Sequence, residues 1–318
     1  MNKNTFNTLI CLFTILIILS LIYNYYVLQY KVLEPFYSEN DPENNTRDFL
    51  DFAFPNYNTI HNEKSKYQQI SIIKNDFAKC LLLNDEIQLC TDNERKYHEL
   101  ITHFPAAYLS SLKYVLIIGG GDLMTLREVM KYNIKGVDML ELDEKVINAS
   151  LKHFTSSSIS KYENDKRVNI HIGDASTLIH KLYNKKYDLI IIDTTEDSDT
   201  NTPVETKGFF KKCKELLNSN GILVKNGFFS KDMEFIVKQK KNYIFNYLLD
   251  LFKNVGIYKI DTPDYQDDEE YKFILCSDHY KISDSLLNNE TKKLSLHQYN
   301  NRNHHKYIDS KNISLNNI

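Results

Sequence analysis

Tyr114-Val-Leu-Ile-Ile-Gly-Gly-Gly-Asp122 is the stretch that decides the fold. Val115 to Ile118 is a short apolar run, too short for a helix and suited to a parallel strand covered on both faces. Gly119, Gly120 and Gly121 then permit positive φ and close approach of the backbone to a ligand. Asp122 stands where a helix should begin, and Leu123 to Tyr132 supplies that helix. The chain has only 9 glycines, none before Gly119 and none after Gly256, so three at one strand end carry information. Taken alone, such a turn also fits a βα connection without a ligand.

Outward from this turn the pattern alternates. Val137 to Leu142, Val168 to Ile172, Tyr187 to Ile192 and Gly221 to Val224 read as strands. Glu144 to Phe154, Ala175 to Tyr183, Glu205 to Leu217 and Lys231 to Phe252 read as the helices between and after them. Val255 to Ile260 and Tyr271 to Ser277 read as an antiparallel pair that closes the sheet. Repeated βα units predict an α/β, Rossmann-like doubly wound sheet that binds ligands at the carboxyl ends of its strands. Upstream, Ile70 to Ile73, Cys80 to Leu83 and Ile87 to Cys90 are separated by Asn75-Asp76 and Asn84-Asp85, which predicts a small antiparallel meander. Glu94 to Phe104 follows at helical spacing, and Pro105 ends it.

The chain of 318 residues carries a formal net charge of -3, which gives no footprint for a nucleic-acid backbone. Its five cysteines (Cys11, Cys80, Cys90, Cys213, Cys276) are scattered and form no C-x-x-C pair, so neither a disulfide framework nor a zinc site is expected. From Asn4 to Tyr30 there is no charged residue, and tyrosines cluster at the far end of the apolar run. This reads as an uncleaved membrane-spanning helix with an interfacial belt, because Tyr-Asn-Tyr-Tyr is a poor signal-peptide cleavage site. Lys3 and Lys31 nearly cancel, so charge does not set its orientation. The expected organisation is a transmembrane anchor over 1–31, a polar linker over 32–66, and a β-domain over 67–110. A catalytic domain over 111–278 and a low-complexity tail over 279–318 follow. His304-His305 is expected to lie solvated in that tail.

The strand ends carry a consistent set of acids: Asp122, Glu141-Leu-Asp143, Gly173-Asp174 and Asp193-Thr-Thr-Glu196. A carboxylate after the second strand suits both hydroxyls of a ribose, and Asp174 suits an exocyclic adenine amine. The turn departs from G-x-G-x-x-G and Asp122 would repel a pyrophosphate, which disfavours NAD. A cation is welcome there instead, which points to an S-adenosyl compound. Each acid is, by itself, also an ordinary helix N-cap. Four carboxylates in one cleft raise each other's pKa, and a polycationic ligand offsets that cost.

At this point the chain resembles the spermidine/spermine synthases, the polyamine aminopropyltransferases, from about Tyr67 to Ser277. The resemblance rests on Tyr67-Gln68, Leu83-Asn-Asp-Glu-Ile-Gln88, Tyr97-His-Glu99, His103-Phe-Pro105, Gly119-Gly-Gly-Asp122, Arg127-Glu128, Glu141-Leu-Asp143, Gly173-Asp174, Asp193-Thr-Thr-Glu196 and Pro263-Asp-Tyr265. It implies a methyltransferase-type Rossmann-like sheet preceded by a small antiparallel β-domain. It implies that Gln68, His98, Asp122, Glu141, Asp174 and Ala175 hold decarboxylated S-adenosylmethionine as co-substrate. Tyr97, Glu196 and Tyr265 would hold the amine acceptor, and Asp193, assisted by Tyr97, would be the general base. No metal and no separate cofactor is implied, and the family is commonly dimeric or larger, which makes a homodimer one candidate assembly. The family usually has two glycines where this chain has Leu123 and Met124. Its D-S-S-D-P becomes Asp193-Thr-Thr-Glu-Asp197, a glutamine becomes Asn226, and the turn after Tyr265 becomes Gln-Asp-Asp-Glu-Glu270. These departures gather on the acceptor side. The alternatives are a methyltransferase using intact S-adenosylmethionine, which Asp122 disfavours, and a catalytically idle membrane-tethered homologue. The cytosol is the expected compartment of the catalytic domain, from the free cysteines and the supply of the donor.

Overall fold

The computed structural model describes residues 54–154, 159–162, 164–195, 203–229, 243–261, 270–282, 291–299 and 301–308. The chain divides into Met1–Asn58 and Thr59–Ile318, and everything below concerns the second unit apart from the first residue of strand β1. The segment over residues 4–30 lies outside the described residues. Among the described residues no helix is long and apolar enough to cross a membrane.

A four-stranded antiparallel sheet comes first, in the order β1 (Asn58–Lys64), β2 (Gln69–Lys74), β3 (Lys79–Leu83), β4 (Glu86–Cys90). Three of these strands match the expected meander. The added strand β1 falls in the stretch read as linker, because its polar sequence shows no alternation and its residues stay mostly exposed. Asn84 and Asp85 both adopt positive φ (50° and 66°) in the turn between β3 and β4, the conformation that Asx residues tolerate best.

Helix α1 (Glu94–Ala106) leads into the second sheet. Pro105 sits in its last turn rather than beyond its end, a position where the helix no longer needs to continue. The second sheet has seven strands in the order β10-β11-β9-β8-β5-β6-β7. Its strands are β5 (Tyr114–Gly119), β6 (Gly136–Glu141), β7 (Val168–Ile172), β8 (Tyr187–Asp193), β9 (Leu217–Phe229), β10 (Asn254–Asp261) and β11 (Glu270–Ser277). Strands β5 to β9 run parallel, and β11 joins β9 antiparallel with β10 at the edge. Helices α2 (Met124–Val129), α3 (Glu144–His153), α4 (Ala175–Leu178), α5 (Lys207–Leu216) and α6 (Tyr243–Leu251) complete the α/β pattern.

Period-2 alternation along the strands feeds two cores. Val115, Ile117, Leu189 and Ile191 face one side, with Leu100, Ile101 and Phe104 of α1. Leu116, Ile118, Ile190 and Ile192 face the other, with Phe209, Phe210 and Cys213 of α5 and Leu248 of α6. This double burial is why β5 and β8 read as unbroken apolar runs.

Two expectations fail here. The tail is part of the fold: Glu99 accepts the backbone N–H groups of His297, Gln298 and Tyr299 at 2.9, 2.7 and 3.0 Å. His304 is buried, stacked on Phe104 with centroids 4.1 Å apart and bonded to Tyr108 and Tyr299. An Asn- and Lys-rich composition concealed Thr291, Tyr299 and His304, which are buried among the described residues. The cysteines also differ from expectation. Cys80 and Cys90 lie directly opposite each other on β3 and β4 and form a disulfide, while Cys213 and Cys276 are free and buried. Strand register, which sequence spacing does not reveal, creates that pair.

Replacing Cys80 and Cys90 by alanine removes a cross-link between residues 10 apart in sequence. Loop-closure entropy puts the loss at about 3 kcal/mol. The denaturant midpoint should fall in the double variant and in reduced wild type alike. A midpoint indifferent to both changes would show that the bond adds nothing.

Candidate active site

The chain runs β5, β6, β7 to one edge of the sheet and then returns to place β8 on the other side of β5. Crevices at such a reversal of strand order, outside the carboxyl ends of the strands, are where ligands bind. Here Gly119 of β5 is in register with Asp193 of β8, and the Gly120 N–H donates to the Asp193 carbonyl at 2.8 Å. Gly119 has φ +81°, and a Cβ there would lie 2.1 Å from that carbonyl oxygen. Gly121 faces β6 instead, where a Cβ would meet the Glu141 carboxyl at 3.0 Å. The glycine turn therefore brings two acidic strand ends against one backbone.

Asp193 is half-buried and both of its carboxylate oxygens accept a hydrogen bond. The Tyr97 hydroxyl donates to Oδ1 and the Thr125 hydroxyl to Oδ2, each at 2.6 Å. Tyr97 comes from the first turns of α1, its ring fixed between Tyr271 and Phe273 at centroid distances of 5.5 and 5.2 Å. Thr125 comes from α2, immediately after the glycine turn. Burial, and then the charge of Asp122, push the Asp193 carboxyl above its ordinary value, against His98 and the two hydroxyls.

Asp122 accepts the Met124 N–H at 2.7 Å and faces His98 Nε2 at 3.6 Å. The expected helix start is displaced by one residue, because Leu123 adopts left-handed φ (+67°) before α2 begins. A non-glycine residue there carries about 1–2 kcal/mol of strain. Its side chain is buried at 1% exposure, and full burial of a leucine returns about 1.5–3 kcal/mol. The turn thus holds Leu123 in a left-handed conformation where the resemblance led to a glycine.

At the end of β6, Glu141 Oε1 accepts the Asp143 N–H at 2.9 Å. Burial, reinforced by Asp122 and Asp143, pushes the Glu141 carboxyl up to about 7. Asp143 caps α3 through the Lys145 N–H and accepts Gln68 Nε2 at 3.1 Å, which ties the small β-sheet to this strand end. Asp174 is exposed and caps α4, accepting the Ser176 N–H and hydroxyl at 2.8 Å, with Ala175 buried beside it. On the other flank, Asn226 Nδ2 donates to the Thr194 carbonyl at 2.6 Å and fixes the start of the segment after Asp193.

The structure therefore gathers Tyr97, His98, Asp122 and Asp193 into one cluster, with Glu141, Asp143 and Gln68 adjoining through Gly121. Glu196 and Tyr265 lie outside the described residues. Sequence reading gave Thr125 no role, although its place one turn after the glycines points it back at the strand end. It also left Glu94, Arg127 and Glu128 without one. Arg127 bonds both Glu94 oxygens at 2.8 Å and Glu128 at 2.8 Å, all three residues buried. Among the described residues no group of three or more His, Cys, Asp or Glu could hold a metal ion. As chemistry, the cleft offers a held carboxylate that can take a proton, beside further carboxylates that attract cations.

Comparison with known proteins agrees with this geometry. A family model described as the spermine/spermidine synthase domain matches residues 94–285, more than half of the chain. A polyamine aminopropyltransferase of Clostridioides difficile is 32% identical over 235 residues, 73% of this chain and 80% of that protein. One from Clostridium acetobutylicum is 36% identical over 167 residues, 52% of this chain and 58% of that protein. A crystal structure of a spermidine synthase in complex with the transition-state analogue AdoDATO superposes with TM-score 0.67 at 25% identity, covering 79% of this chain and 84% of that one. The spermidine synthase of Thermotoga maritima gives the same values. The chain belongs to the spermine/spermidine synthase family of aminopropyl-transferring enzymes.

Proposed function

We propose that the protein moves the aminopropyl group of decarboxylated S-adenosylmethionine to a polyamine, with putrescine the first candidate and spermidine the product. The observation that carries this reading is Asp193, held by Tyr97 and Thr125 with a raised pKa, in a cleft that Asp122 makes attractive to cations. An aliphatic ammonium has a pKa of about 10.4, like lysine, so its nitrogen must lose a proton before it can attack. Asp193 orients the amine and takes that proton, and the freed lone pair then bonds to the methylene beside sulfur. The carbon–sulfur bond breaks with its electron pair passing to sulfur, which turns the sulfonium into neutral methylthioadenosine. A leaving group that becomes neutral needs neither a general acid nor a metal. Asp122 favours a donor whose end bears an amine without a carboxylate, which weighs against the methyltransferase reading.

Asp193→Asn should keep donor binding and lose turnover about a hundredfold or more, the usual worth of a positioned base. Turnover close to wild type would remove Asp193 from this role.

The acid after β6 gives a pH test. In the empty site Glu141 is neutral below about 7 because burial raises its pKa. Its ionisation therefore costs fold stability as pH rises from its ordinary value of 4.5 through about 7. Accepting two ribose hydroxyls favours the ionised form, so donor affinity should rise with pH through this window. Calorimetry across that range should show a shallower slope in Glu141→Gln than in wild type. An unchanged slope contradicts the assignment.

For placement in the cell, residues 4–30 serve as an anchor with the catalytic unit on the cytosolic side. The long uncharged segment and the supply of the donor support this. The Cys80–Cys90 bond withdraws the argument from free cysteines. Against this placement stand the sequons Asn44-Asn-Thr46, Asn148-Ala-Ser150, Asn289-Glu-Thr291 and Asn312-Ile-Ser314, of which Asn148-Ala-Ser150 lies within α3 with Ser150 buried and is a poor glycan acceptor. Endoglycosidase treatment of the chain expressed in a eukaryotic cell should leave its mobility unchanged; a shift would put the domain in the lumen. A homodimer is the assembly expected from the resemblance, and a monomer in sedimentation velocity would exclude it.

A further inference from the structure

Among the described residues the nitrogens of His98 face acceptors alone. Nδ1 lies 2.7 Å from the Glu94 carbonyl oxygen and 3.0 Å from Glu94 Oε2, neither of which has a hydrogen to give. Nδ1 must therefore carry one. Nε2 lies 3.6 Å from Asp122 Oδ1, too far for a hydrogen bond but within ion-pair reach of a carboxylate, which favours a hydrogen on Nε2 as well. Both nitrogens protonated means an imidazolium. Glu94 cannot rotate away from its task, because Arg127 grips both of its oxygens at 2.8 Å and is itself held by Glu128. Burial would push Glu94 up, but the bonds from His98 and Arg127 hold it well below the usual carboxylate range.

The cleft thus supplies a cation of its own, placed beside the acid that the aminopropyl-transfer reading gives to a substrate ammonium. Two cations cannot share Asp122 cheaply, since like charges a few ångströms apart repel strongly where water is partly excluded. A histidine that gives up its Nε2 hydrogen escapes this. The bare nitrogen then accepts a hydrogen bond from the arriving ammonium, while Nδ1–H stays on Glu94.

We propose that Glu94, clamped by Arg127, is a positioning residue that fixes the proton of His98 on Nδ1, so that His98 stands in for the substrate cation in the empty site and yields its Nε2 proton to solvent when an ammonium group of the substrate arrives beside Asp122. The proposal rests on the aminopropyl-transfer reading for the identity of that cation. No bond other than Nε2–H breaks, and the proton leaves to the buffer. The charged and titratable groups around His98 are Asp122 on the glycine turn, Glu94 and Tyr97 on its own helix, and Asp193 at the end of β8. Behind Glu94 stand Arg95, at 4.0 Å, and Arg127. Asp193 also titrates, so a count of protons released would not isolate His98; a signal from its ring nitrogens does.

The test is nitrogen NMR on the full chain labelled at histidine, with the His98 signals assigned by their absence in His98→Asn. In the ligand-free protein near neutral pH both nitrogens should show the protonated shift. In Glu94→Gln the transition to the neutral ring should move to lower pH. Saturating decarboxylated S-adenosylmethionine should move Nε2 alone to the shift of a nitrogen bearing a lone pair. Should Glu94→Gln not fold, Arg127→Lys, which keeps the charge but loses the two-pronged grip, should shift the same transition. The proposal is overturned if Nε2 is unprotonated in the empty site, if it stays protonated when ligand binds, or if Nδ1 loses its hydrogen instead. Failure of every amine and donor to bind, with the ligand-free signals as expected, would instead overturn the aminopropyl-transfer reading and the release step with it, leaving the Glu94 clamp established.

Discussion

The hydrogen bond from the Gly120 N–H to the Asp193 carbonyl fixes where the chemistry can occur. It joins the ends of β5 and β8, the two strands between which the order of the sheet reverses. Closeness there excludes a Cβ at Gly119, since the carbonyl would lie 2.1 Å away. From this junction the remaining placements follow. Thr125 reaches Asp193 because α2 starts directly after the turn, and Tyr97 reaches it because α1 packs over the same strand ends. Glu141 is brought in by the third glycine, whose missing side chain leaves room for its carboxyl.

Bringing Asp122, Glu141, Asp143 and Asp193 together concentrates negative charge where water is scarce, and two of these acids respond with raised pKa values. Such a site stores instability that a cationic ligand relieves. Among the described residues the basic group facing Asp122 is His98, backed by the buried Glu94–Arg127–Glu128 chain. Buried ionic chains seldom add net stability over apolar packing, so their value here lies in holding orientation and protonation. Removing Arg127 would leave Glu94 to His98 alone on that side and Glu128 to His103 and Lys131, so orientation rather than pairing is what is lost.

Much of this was legible in the sequence where local pattern and tertiary role coincide. The apolar run before the three glycines, and the acid closing each following strand, place the sheet and the acids at its carboxyl ends. Legibility failed where partners meet only through register or packing. Cys80 and Cys90 look unrelated until β3 and β4 are aligned. His304 looks solvated until Phe104 and Tyr299 are seen around it. Glu94 precedes His98 by one helical turn, which is visible in sequence. That Arg127 arrives from 33 residues further on to hold it is not.

The central claim is that carbon–nitrogen bond formation occurs at the Asp193 end of this cleft with an aminopropyl donor. Incubating the full chain with decarboxylated S-adenosylmethionine and a panel of amines, and identifying products by mass spectrometry, tests it directly. The account predicts methylthioadenosine and an amine heavier by one aminopropyl group, in equal amounts. A methylated product formed from intact S-adenosylmethionine, or no product from any amine offered, would contradict it.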